Sequence, residues 1–483
     1  MDCRHVLCLY PHFDDPALWP ALGLDYVATA AKQVAQDVEL VDLRYVQDYR
    51  EYIRPDTDAI AVSFNWPRHF DFVTKIINHI PGTDLLVVGG RVASFECERI
   101  LEDCPNVDVI VRGEGEATIQ DLLKAEGLHQ VDGVSYRANG RVVHRPNREM
   151  LPIGKIGPPD RSLRVKPYAF VVDGVDPGVR LDTMLTSRGC PYKCKFCTFD
   201  TNPLGQKRTW AARDPEDVVD EIESMDADVI FFNDDNFMFD ARRVERICDL
   251  LIARGIKKAY GGETRIDCTK HPEVLAKMYQ AGFRMLGVGV EATDDDTLQE
   301  MNRGYTVKDV KEAFAVLREV GILTVGFYIA GWFGQTREDI VKIADFSHEC
   351  GIDFVCPSII RYEPYSGMDE LLAKYPNYHV SESRQVYSDE LSAVEIQGAT
   401  REMKARFYTP RQYAQILRKA WRGGLFHPKW DERWWQHPLW SAKWATFLPR
   451  VMFRKLKKVT GRARKKRPGL MDGRATLYGA LPP

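Results

Sequence analysis

The sequence predicts an α/β protein with an N-terminal doubly wound parallel sheet, an open partial barrel of six strand–helix units and a helical C-terminal segment. Short apolar runs alternate with amphipathic helical stretches over most of the chain, which is typical of parallel sheets covered by helices. The 483 residues exceed what one hydrophobic core usually serves, so more than one domain is expected. Hydrophobic residues make up 45% and charged residues 28%, which indicates a globular protein.

The first domain is expected over residues 1–130. Four apolar runs predict its buried strands: 5–9, 57–63, 84–88 and 107–111. Doubly wound sheets bind ligands beyond the carboxyl ends of their strands. Gly89 and Gly90 follow one of these strands, and Gly113 and Glu114 follow another. These residues are therefore candidates for a ligand site.

Residues 131–180 are expected to form a hairpin and a linker. Asn139 and Gly140 separate two short apolar runs, and both residue types tolerate the positive φ of a tight hairpin turn. Four prolines then indicate a domain boundary: Pro152, Pro158, Pro159 and Pro167.

The second domain is expected over residues 181–370. Six apolar runs, each followed by a helical stretch, predict its strands: 182–187, 228–233, 257–262, 285–290, 322–330 and 353–360. A closed barrel of this type needs eight such units. Six units predict an open barrel.

Three cysteines follow the first strand of this second domain directly. Cys190, Cys194 and Cys197 have the spacing C-x3-C-x2-C, and a tight loop at a strand end can direct three thiolates to an iron–sulfur cluster. The alternative is a zinc site, but structural zinc requires four ligands and no paired partner motif follows nearby. Three ligands on a four-iron cubane leave one iron open for chemistry.

The segment from Arg188 to Cys197 resembles the signature of the radical S-adenosylmethionine (SAM) superfamily, including the aromatic Phe196 before the last cysteine. The N-terminal domain is similar to the cobalamin-binding domain that precedes the barrel in one large subgroup. The resemblance implies a [4Fe–4S] cluster whose open iron is chelated by the amino and carboxylate groups of SAM. One electron, from a donor such as flavodoxin or ferredoxin, would then cleave SAM and release a 5′-deoxyadenosyl radical.

The resemblance also implies a SAM site at the carboxyl ends of the barrel strands, where chemistry gathers in barrel folds. It implies that Asp234 and Asp235 accept from the SAM ammonium and that Arg265 binds the SAM carboxylate. Three further contacts are implied, at Glu263 beside this arginine, at Glu291 near the ribose and at Gly331 beside the adenine. No catalytic residue is assigned.

Two more motifs extend the resemblance to about residue 367. Met301–Thr306 is similar to an Asn-Arg-Gly helix start of the subgroup. Pro364–Met368 is similar to its Pro-Tyr-Pro-Gly-Thr motif, with two substitutions.

The first domain resembles the subgroup's cobalamin domain in its Pro20–Leu24 turn and its two glycine motifs, Gly89-Gly90 and Arg112–Glu116. Glycines suit this role because a large macrocycle needs the backbone to approach closely. One departure is clear. The D-x-H-x-x-G loop that supplies an axial histidine in other cobalamin proteins is absent, and His12 is the only histidine near the first strand end. Cobalamin binding is expected, without an assigned axial ligand.

The leading functional hypothesis is a cobalamin-dependent radical SAM methyltransferase. The resemblance implies that one SAM methylates the cobalt and a second SAM supplies the radical. The expected target is an unactivated carbon or phosphorus centre of a small or lipid-like metabolite, since ordinary methyl transfer does not reach such centres. The cofactors perform the difficult steps, and the protein orients them.

Three alternatives remain at the level of sequence. A radical cyclase, oxidase or rearrangement enzyme would share the architecture. An RNA methylthiolase would carry a second cluster on cysteines of the first domain, where Cys3, Cys8, Cys97 and Cys104 lie. A cluster that only senses oxygen or relays electrons would explain the cysteines but not the strand-end motifs.

Residues 371–483 are expected to form a helical, tryptophan-rich segment with a basic tail. Six of the ten tryptophans lie here: Trp421, Trp430, Trp434, Trp435, Trp440 and Trp444. Residues 450–467 contain ten lysines and arginines and no acid. Either the segment caps the barrel with a solvated basic end, or it contacts a lipid surface at the membrane periphery.

Composition and the N-terminal sequence exclude some partners. The net charge of -3 gives no general attraction to nucleic acid, so no nucleic-acid partner is expected. The N-terminus lacks the features of a signal peptide, and no apolar run has the length of a membrane span. A cytoplasmic protein with reduced cysteines is expected.

Overall fold

The computed structural model describes residues 3–12, 19–46, 48–169, 171, 174–176, 178–422, 442, 446–447 and 449–454. These residues form two compact units. The first runs to Pro167 and also contains Thr201–Lys207. The second comprises Tyr168–Asp200 and the described residues from Arg208 onward.

The first unit contains one sheet with helices on both faces. Its strands are β1 (Cys3–Tyr10), β2 (Ala35–Asp42), β3 (Thr57–Ser63), β4 (Leu85–Gly89), β5 (Val109–Val111), β6 (Val134–Ala138) and β7 (Arg141–His144). Its helices are α1 (Leu22–Lys32), α2 (Phe70–Asn78), α3 (Arg91–Phe95), α4 (Cys97–Asp103) and α5 (Glu116–Lys124). The strand order is β2-β1-β3-β4-β5-β6-β7. The first five strands are parallel, and β6 and β7 are antiparallel.

Alternate residues of β1 belong to different hydrophobic cores. Leu7 and Leu9 pack in one core, and Val6 and Cys8 pack in the other. This alternation follows from the two-residue period of a strand, and it shows that both faces of the sheet are covered. The predicted doubly wound sheet is confirmed.

Two features of this sheet were not predicted. β2 is absent from the predicted strands because its sequence, AQDVELVD, mixes polar with apolar residues and forms no apolar run. The polar residues fit its position at an edge of the sheet, where the strand is partly exposed. The hairpin at Asn139 and Gly140 was expected in a separate segment, 131–180, but it continues the sheet of the first unit. Val134 of β6 pairs with Val111 of β5, so the hairpin extends the same hydrogen-bonded ladder.

The second unit contains six parallel strands in sequential order. They are β8 (Leu181–Met184), β11 (Val229–Phe232), β12 (Ala259–Arg265), β13 (Phe283–Glu291), β14 (Leu323–Ala330) and β15 (Phe354–Ile359), and two further short strands, β9 (Ser187–Arg188) and β10 (Ala211–Ala212), pair with each other. The order β15-β14-β13-β12-β11-β8 leaves β8 and β15 as edges. The predicted open arrangement of six units is confirmed.

Helices connect these strands and then follow the sheet. The connecting helices are α6 (Pro215–Ser224), α7 (Ala241–Ala253), α8 (Pro272–Ala281), α9 (Asp295–Glu300), α10 (Val307–Val320) and α11 (Arg337–Cys350). The elements after the sheet are α12 (Met368–Lys374), the antiparallel pair β16 (Tyr378–Val380) and β17 (Val386–Ser388), α13 (Ala393–Phe407) and α14 (Pro410–Arg422). The helical C-terminal segment is confirmed as far as Arg422.

Part of the C-terminal prediction falls on residues that the structure does not describe. Trp421, at the end of α14, is exposed. Trp430, Trp434, Trp435, Trp440, Trp444 and residues 455–467 of the basic run lie outside the described residues. Among the described helices, none is both long enough and apolar enough to cross a bilayer.

Side-chain caps and glycines define the ends of the barrel helices. Thr306 and Thr336 each form a reciprocal capping box at the start of α10 and α11. Gly282 and Gly321 end α8 and α10 in the left-handed conformation, with φ of 116° and 90°. A Cβ at Gly282 would collide with the carbonyl oxygen of Lys258, whereas the nearest atom to a Cβ at Gly321 is 3.8 Å away.

These two glycines therefore provide a matched test of the packing. We expect Gly321→Ala to lower the free energy of unfolding by about 1 kcal/mol, the usual penalty for a left-handed alanine. We expect Gly282→Ala to cost about 2–4 kcal/mol, because the backbone of Lys258 must also move. Urea unfolding of the full chain measures both, and equal losses would contradict this packing.

Candidate functional site

The three cysteines lie in an irregular loop at the carboxyl end of β8. Cys190 and Cys194 are buried and Cys197 is partly buried. The Cys197 backbone N–H donates to the Cys194 carbonyl at 3.0 Å, which closes a turn between them. Because the barrel strands are parallel, the loops that follow them share this edge of the sheet.

The sulfur atoms of this loop accept hydrogen bonds from cations and from backbone. Arg265 Nη1 lies 3.4 Å and Arg303 Nη1 lies 3.2 Å from Cys194 Sγ. The Phe199 backbone N–H donates to Cys197 Sγ at 3.4 Å. Charge-assisted donors of this kind stabilise thiolate character, which metal ligation requires.

The thiols also influence each other electrostatically. Burial raises the pKa of Cys197, and the neighbouring Cys194 and Cys190 raise it further. Burial likewise raises the pKa of Cys190. Buried thiols that influence each other in this way need positive charge before all three can ionise, and iron would provide it.

The residue types of this loop suit the irons of a cubane cluster. Among the described residues, no three His, Cys, Asp or Glu side chains converge on a point that could hold one ion. A structural zinc ion needs four ligands around that point. In a cubane each cysteine binds a different iron, so the sulfurs stand farther apart, and soft thiolates suit that iron.

Two segments from later in the chain brace the cysteine loop. The Lys195 N–H donates to the Met301 carbonyl at 3.1 Å, and Asn302 Nδ2 donates to the Lys193 carbonyl at 2.7 Å. Gly367 lies so near that its Cβ would be 2.8 Å from Lys195 Cγ. The two motifs that resembled the subgroup without a stated role therefore support the cysteine loop.

The acidic turn after β11 supports the chain that leads into Cys190. Asp234 is buried, and it accepts from Thr186 N at 2.7 Å, Thr186 Oγ1 at 2.5 Å and Ser187 Oγ at 2.6 Å. Asp235 Oδ2 accepts from the Gly189 N–H at 2.7 Å. In this structure the Asp234 carboxylate accepts from these three donors, and its expected contact with the SAM ammonium stays a prediction.

Three carboxylates near the strand ends interact with each other. Desolvation raises the pKa of Glu263 to about 7, with Asp235 and Glu291 adding to the effect, although the residue as a whole is exposed to solvent. Burial raises the pKa of Asp235 to about 6. This concentration of negative charge suits a cationic ligand such as the sulfonium of SAM.

Glu291 adopts an unusual backbone conformation at the end of β13. Its φ is 70°, at a point where the pairing of β13 with β14 is irregular. Burial raises the pKa of its carboxyl group, and its Oε1 lies 3.4 Å from Arg303 Nη2. Left-handed glutamates are uncommon, and such strain often accompanies functional sites.

Arg265 is placed against the cysteine loop. Its guanidinium carbon lies 3.7 Å from the centre of the Tyr192 ring, and its Nη2 donates to the Arg303 carbonyl at 2.6 Å. Its Nε also donates to Asp267 Oδ2 at 3.1 Å. A contact between Arg265 and the SAM carboxylate stays a prediction.

Gly331 is buried under α13. A Cβ there would lie 2.7 Å from Ile396 Cδ1, and the Gly331 N–H donates to Gln335 Oε1 at 2.7 Å. The structure therefore gives this glycine a packing role, and its contact with adenine stays a prediction.

The glycine motifs of the first unit lie at adjoining strand ends and are linked through Ser94. Gly113 N donates to Ser94 Oγ at 2.9 Å, and Ser94 Oγ donates to the Gly90 carbonyl at 2.9 Å. Gly90 has no room for a side chain, since a Cβ would lie 2.6 Å from Asn65 Oδ1. Glu114 lies half-buried at the same turn as Gly113. Contacts of these residues with cobalamin stay predictions.

His12 uses both of its ring nitrogens within the protein. Its Nε2 accepts from the Asn65 N–H at 3.1 Å, and its Nδ1 lies 2.8 Å from His69 Nδ1. Burial lowers the pKa of His12 to about 2, and the neighbouring His69 adds to the effect. In this arrangement His12 has no free nitrogen with which to bind cobalt.

The other cysteines of the first unit do not form a second site. Cys3 and Cys8 belong to one hydrophobic core, and Cys97 and Cys104 belong to the core on the opposite face of the sheet. Three of these four thiols therefore cannot meet at one cluster, as an RNA methylthiolase would require.

The assigned ligand set gives a direct prediction. We expect Cys194→Ala to lose the cluster, so that iron falls from about four per chain after anaerobic reconstitution and the brown absorbance disappears. Cys248→Ala, in the buried face of α7, removes a thiol of the same type and is the matched control. Iron retained by Cys194→Ala at the level of Cys248→Ala would contradict the assignment.

The raised pKa of Glu263 gives a pH-dependent prediction. At pH 6 this carboxyl group is mostly protonated and at pH 8 it is mostly ionised, so affinity for the sulfonium should rise by up to about tenfold over this range. Equilibrium dialysis of SAM against the iron-loaded, unreduced protein measures it. We expect Glu263→Gln to flatten the profile. Glu273→Gln should keep it, because Glu273 is also exposed but lies in the first turn of α8, outside the carboxylate cluster. A profile unchanged in Glu263→Gln would exclude this role.

Two family models match the chain, and together they span more than half of it. The radical SAM superfamily model matches residues 184–347, and the B12 binding domain model matches residues 16–123. The first match contains the cysteine loop and the strand ends from β11 to β14. The second contains the glycine motifs of the first unit.

Several curated proteins are similar along much of the chain. An uncharacterized methyltransferase of Pyrococcus horikoshii is 26% identical over 85% of this chain and 88% of its own length. The anaerobic magnesium-protoporphyrin IX monomethyl ester cyclase of Cereibacter sphaeroides is 29% identical over 67% of this chain and 55% of its own length. The hopanoid C-3 methylase of Methylococcus capsulatus is 26% identical over 82% of this chain and 75% of its own length.

Solved structures share the fold. The radical SAM methyltransferase TsrM from Kitasatospora setae, with cobalamin and a [4Fe–4S] cluster bound, has a TM-score of 0.67 at 19% identity and covers 95% of this chain and 100% of its own. The cobalamin-dependent SAM radical enzyme OxsB has a TM-score of 0.66 at 16% identity and covers 99% of this chain and 84% of its own. With both family models matched and a cysteine loop that suits a cubane, this chain belongs to the radical SAM superfamily, in the subgroup that carries a B12-binding domain.

Proposed function

We propose that this protein is a cobalamin-dependent radical SAM methyltransferase that methylates an unactivated carbon or phosphorus centre of a small or lipid-like metabolite. The observation that supports it most is that one chain carries two sites. A cysteine loop lies at the same strand ends as a group of carboxylates, and a separate sheet has glycine motifs at the strand ends where such sheets bind ligands. The cluster with SAM supplies a 5′-deoxyadenosyl radical, and cobalamin carries a methyl group.

The protein's own residues prepare the site for the cofactors. Arg265 and Arg303 direct positive charge at Cys194, and Asp234 fixes the chain that leads into Cys190. Asp235, Glu263 and Glu291 present negative charge to the cationic sulfonium of SAM. Fixed charges of this kind need no reorganisation when a reaction begins.

Methyl transfer is favoured over cyclisation by the extent of similarity. The similarity to the Pyrococcus horikoshii methyltransferase covers 88% of that protein, whereas the similarity to the Cereibacter sphaeroides cyclase covers 55% of that protein. A cyclase or another radical enzyme of the same architecture is the second candidate. The names of two of these relatives refer to a hopanoid and to a magnesium porphyrin ester, so these relatives do not narrow the substrate class further. A one-electron donor such as flavodoxin or ferredoxin is part of the proposal.

The products of SAM turnover test the proposal. The protein is reconstituted anaerobically with iron, sulfide and cobalamin, reduced, and supplied with SAM that carries a labelled methyl group. We expect S-adenosylhomocysteine whose yield depends on added cobalamin, together with 5′-deoxyadenosine when a substrate is present. Triterpenoid, porphyrin and alkylphosphonate compounds are the first substrates to screen for the label.

The control omits cobalamin from the same iron-loaded preparation. If the protein forms 5′-deoxyadenosine but no S-adenosylhomocysteine in the presence of cobalamin, the methyltransferase proposal is wrong and the cyclase candidate is favoured. Absence of both products from protein with a full cluster would contradict both candidates.

A further inference from the structure

A short hairpin that begins four residues after Cys197 belongs to the first unit. Thr201 and Lys207 pair as an antiparallel bridge, and the Asn202 N–H donates to the Gln206 carbonyl at 3.0 Å. Thr201–Lys207 groups with the sheet of the first unit, although the residues on either side of it belong to the second. We call it the 201–207 hairpin.

Asn202 organises this hairpin from within. Its Oδ1 accepts from Leu204 N at 2.9 Å and from Gln206 N at 3.0 Å, and its Nδ2 donates to Gln206 Oε1 at 2.6 Å. The asparagine is 4% exposed, so these bonds are shielded from water. Buried bonds of this kind fix a turn in one conformation.

The hairpin packs on the rim of the sheet where cobalamin is expected. Leu204 Cδ1 lies 3.3 Å from the position of a Cβ at Gly113, and Gln206 Nε2 donates to the Arg148 carbonyl at 3.2 Å. Gly113 is in turn joined through Ser94 to Gly90. The hairpin is thus part of the same network as the two glycine motifs.

Both stems of the hairpin are fixed to the framework of the cysteine loop. The first stem continues from Cys197, and the Arg208 N–H closes the base by donating to the Asp200 carbonyl at 2.7 Å. After the base, Ala211 of β10 pairs with Arg188 of β9, two residues before Cys190. A Cβ at Gly189 would lie 3.2 Å from Trp210 Cα, so this pairing is tight.

We propose that the 201–207 hairpin couples the two cofactor sites, with Asn202 as its positioning residue. Cobalamin bound at the rim would hold the hairpin, and the hairpin would hold the ends of the cysteine loop in the arrangement that binds the cluster. Coupling of this kind is reciprocal, so a bound cluster must raise cobalamin affinity by the same factor. The inference rests on the same cobalamin site as the proposed function, and it does not depend on the reaction performed.

The ratio of two dissociation constants tests the coupling. Hydroxocobalamin is titrated by its absorbance into the full chain, once with the cluster reconstituted and once after chelation of the iron. We expect the dissociation constant of wild-type protein for hydroxocobalamin to be at least about fivefold lower when the cluster is present. We expect Asn202→Ala to bring this ratio close to one and to weaken cobalamin binding to the cluster-loaded chain by about tenfold, through loss of three partly buried hydrogen bonds.

Asn139→Ala is the matched control. Asn139 also occupies a hairpin turn of the first unit, but it is exposed and lies beyond Ala138, at the end of the sheet opposite Gly113. Its substitution should leave the ratio at the wild-type value. Hydrogen exchange provides a measurement on wild-type protein that does not depend on a variant folding. Cobalamin should slow exchange of the Leu204 and Gln206 amides, which donate to Asn202.

A wild-type ratio near one would overturn the coupling, and so would a ratio that Asn202→Ala leaves unchanged. Unaltered exchange at Leu204 and Gln206 would overturn it as well. Formation of S-adenosylhomocysteine is measured separately, so either result can occur while the proposed methyl transfer stands.

Discussion

The Arg303 guanidinium holds together the cysteine loop and the strand ends of the second unit. It contacts Cys194 Sγ at 3.2 Å and Glu291 Oε1 at 3.4 Å, and its Nε donates to the Tyr305 hydroxyl at 2.7 Å. The backbone carbonyl of Arg303 accepts a hydrogen bond from Arg265 Nη2 at 2.6 Å. A buried guanidinium costs desolvation energy unless partners surround it. Here two of those partners, Cys194 and Glu291, are groups expected to hold the cluster and SAM, so Arg303 links the two expected cofactor contacts.

Much of the architecture could be predicted because it follows from local periodicity. The six barrel strands and the strands β1, β3, β4 and β5 are short apolar runs between helical stretches, and the structure has them where the runs fall. β2 escaped prediction because an edge strand with polar alternation lacks that signal. The cysteine spacing alone indicated an iron–sulfur loop, since few other sites use three thiols in so short a segment.

The roles of individual side chains were harder to predict, because they arise from contacts between residues far apart in the sequence. Asn302 binds the backbone of Lys193 across 109 positions, and Asp234 binds Thr186 across 48. A motif shows that such residues recur together, but not which partner each one meets. The support that Asp234 gives to Thr186 and Ser187 could therefore not be predicted from its motif. The 201–207 hairpin gave no sequence signal beyond Asn202 and Gly205, which are ordinary turn residues.

Glu291 shows how far this site departs from the conformation its own chain would prefer. A left-handed backbone costs a side-chain-bearing residue about 1–3 kcal/mol, and glycine avoids most of that cost. Glycine at this position would relieve that backbone cost, but it would also delete the carboxylate that faces the buried Arg303 guanidinium. Stability and charge placement oppose each other at this one residue, and the native sequence keeps the charge. A search for thermostable variants should leave position 291 fixed, because relief of the backbone cost would come with the loss of a charge that the site requires.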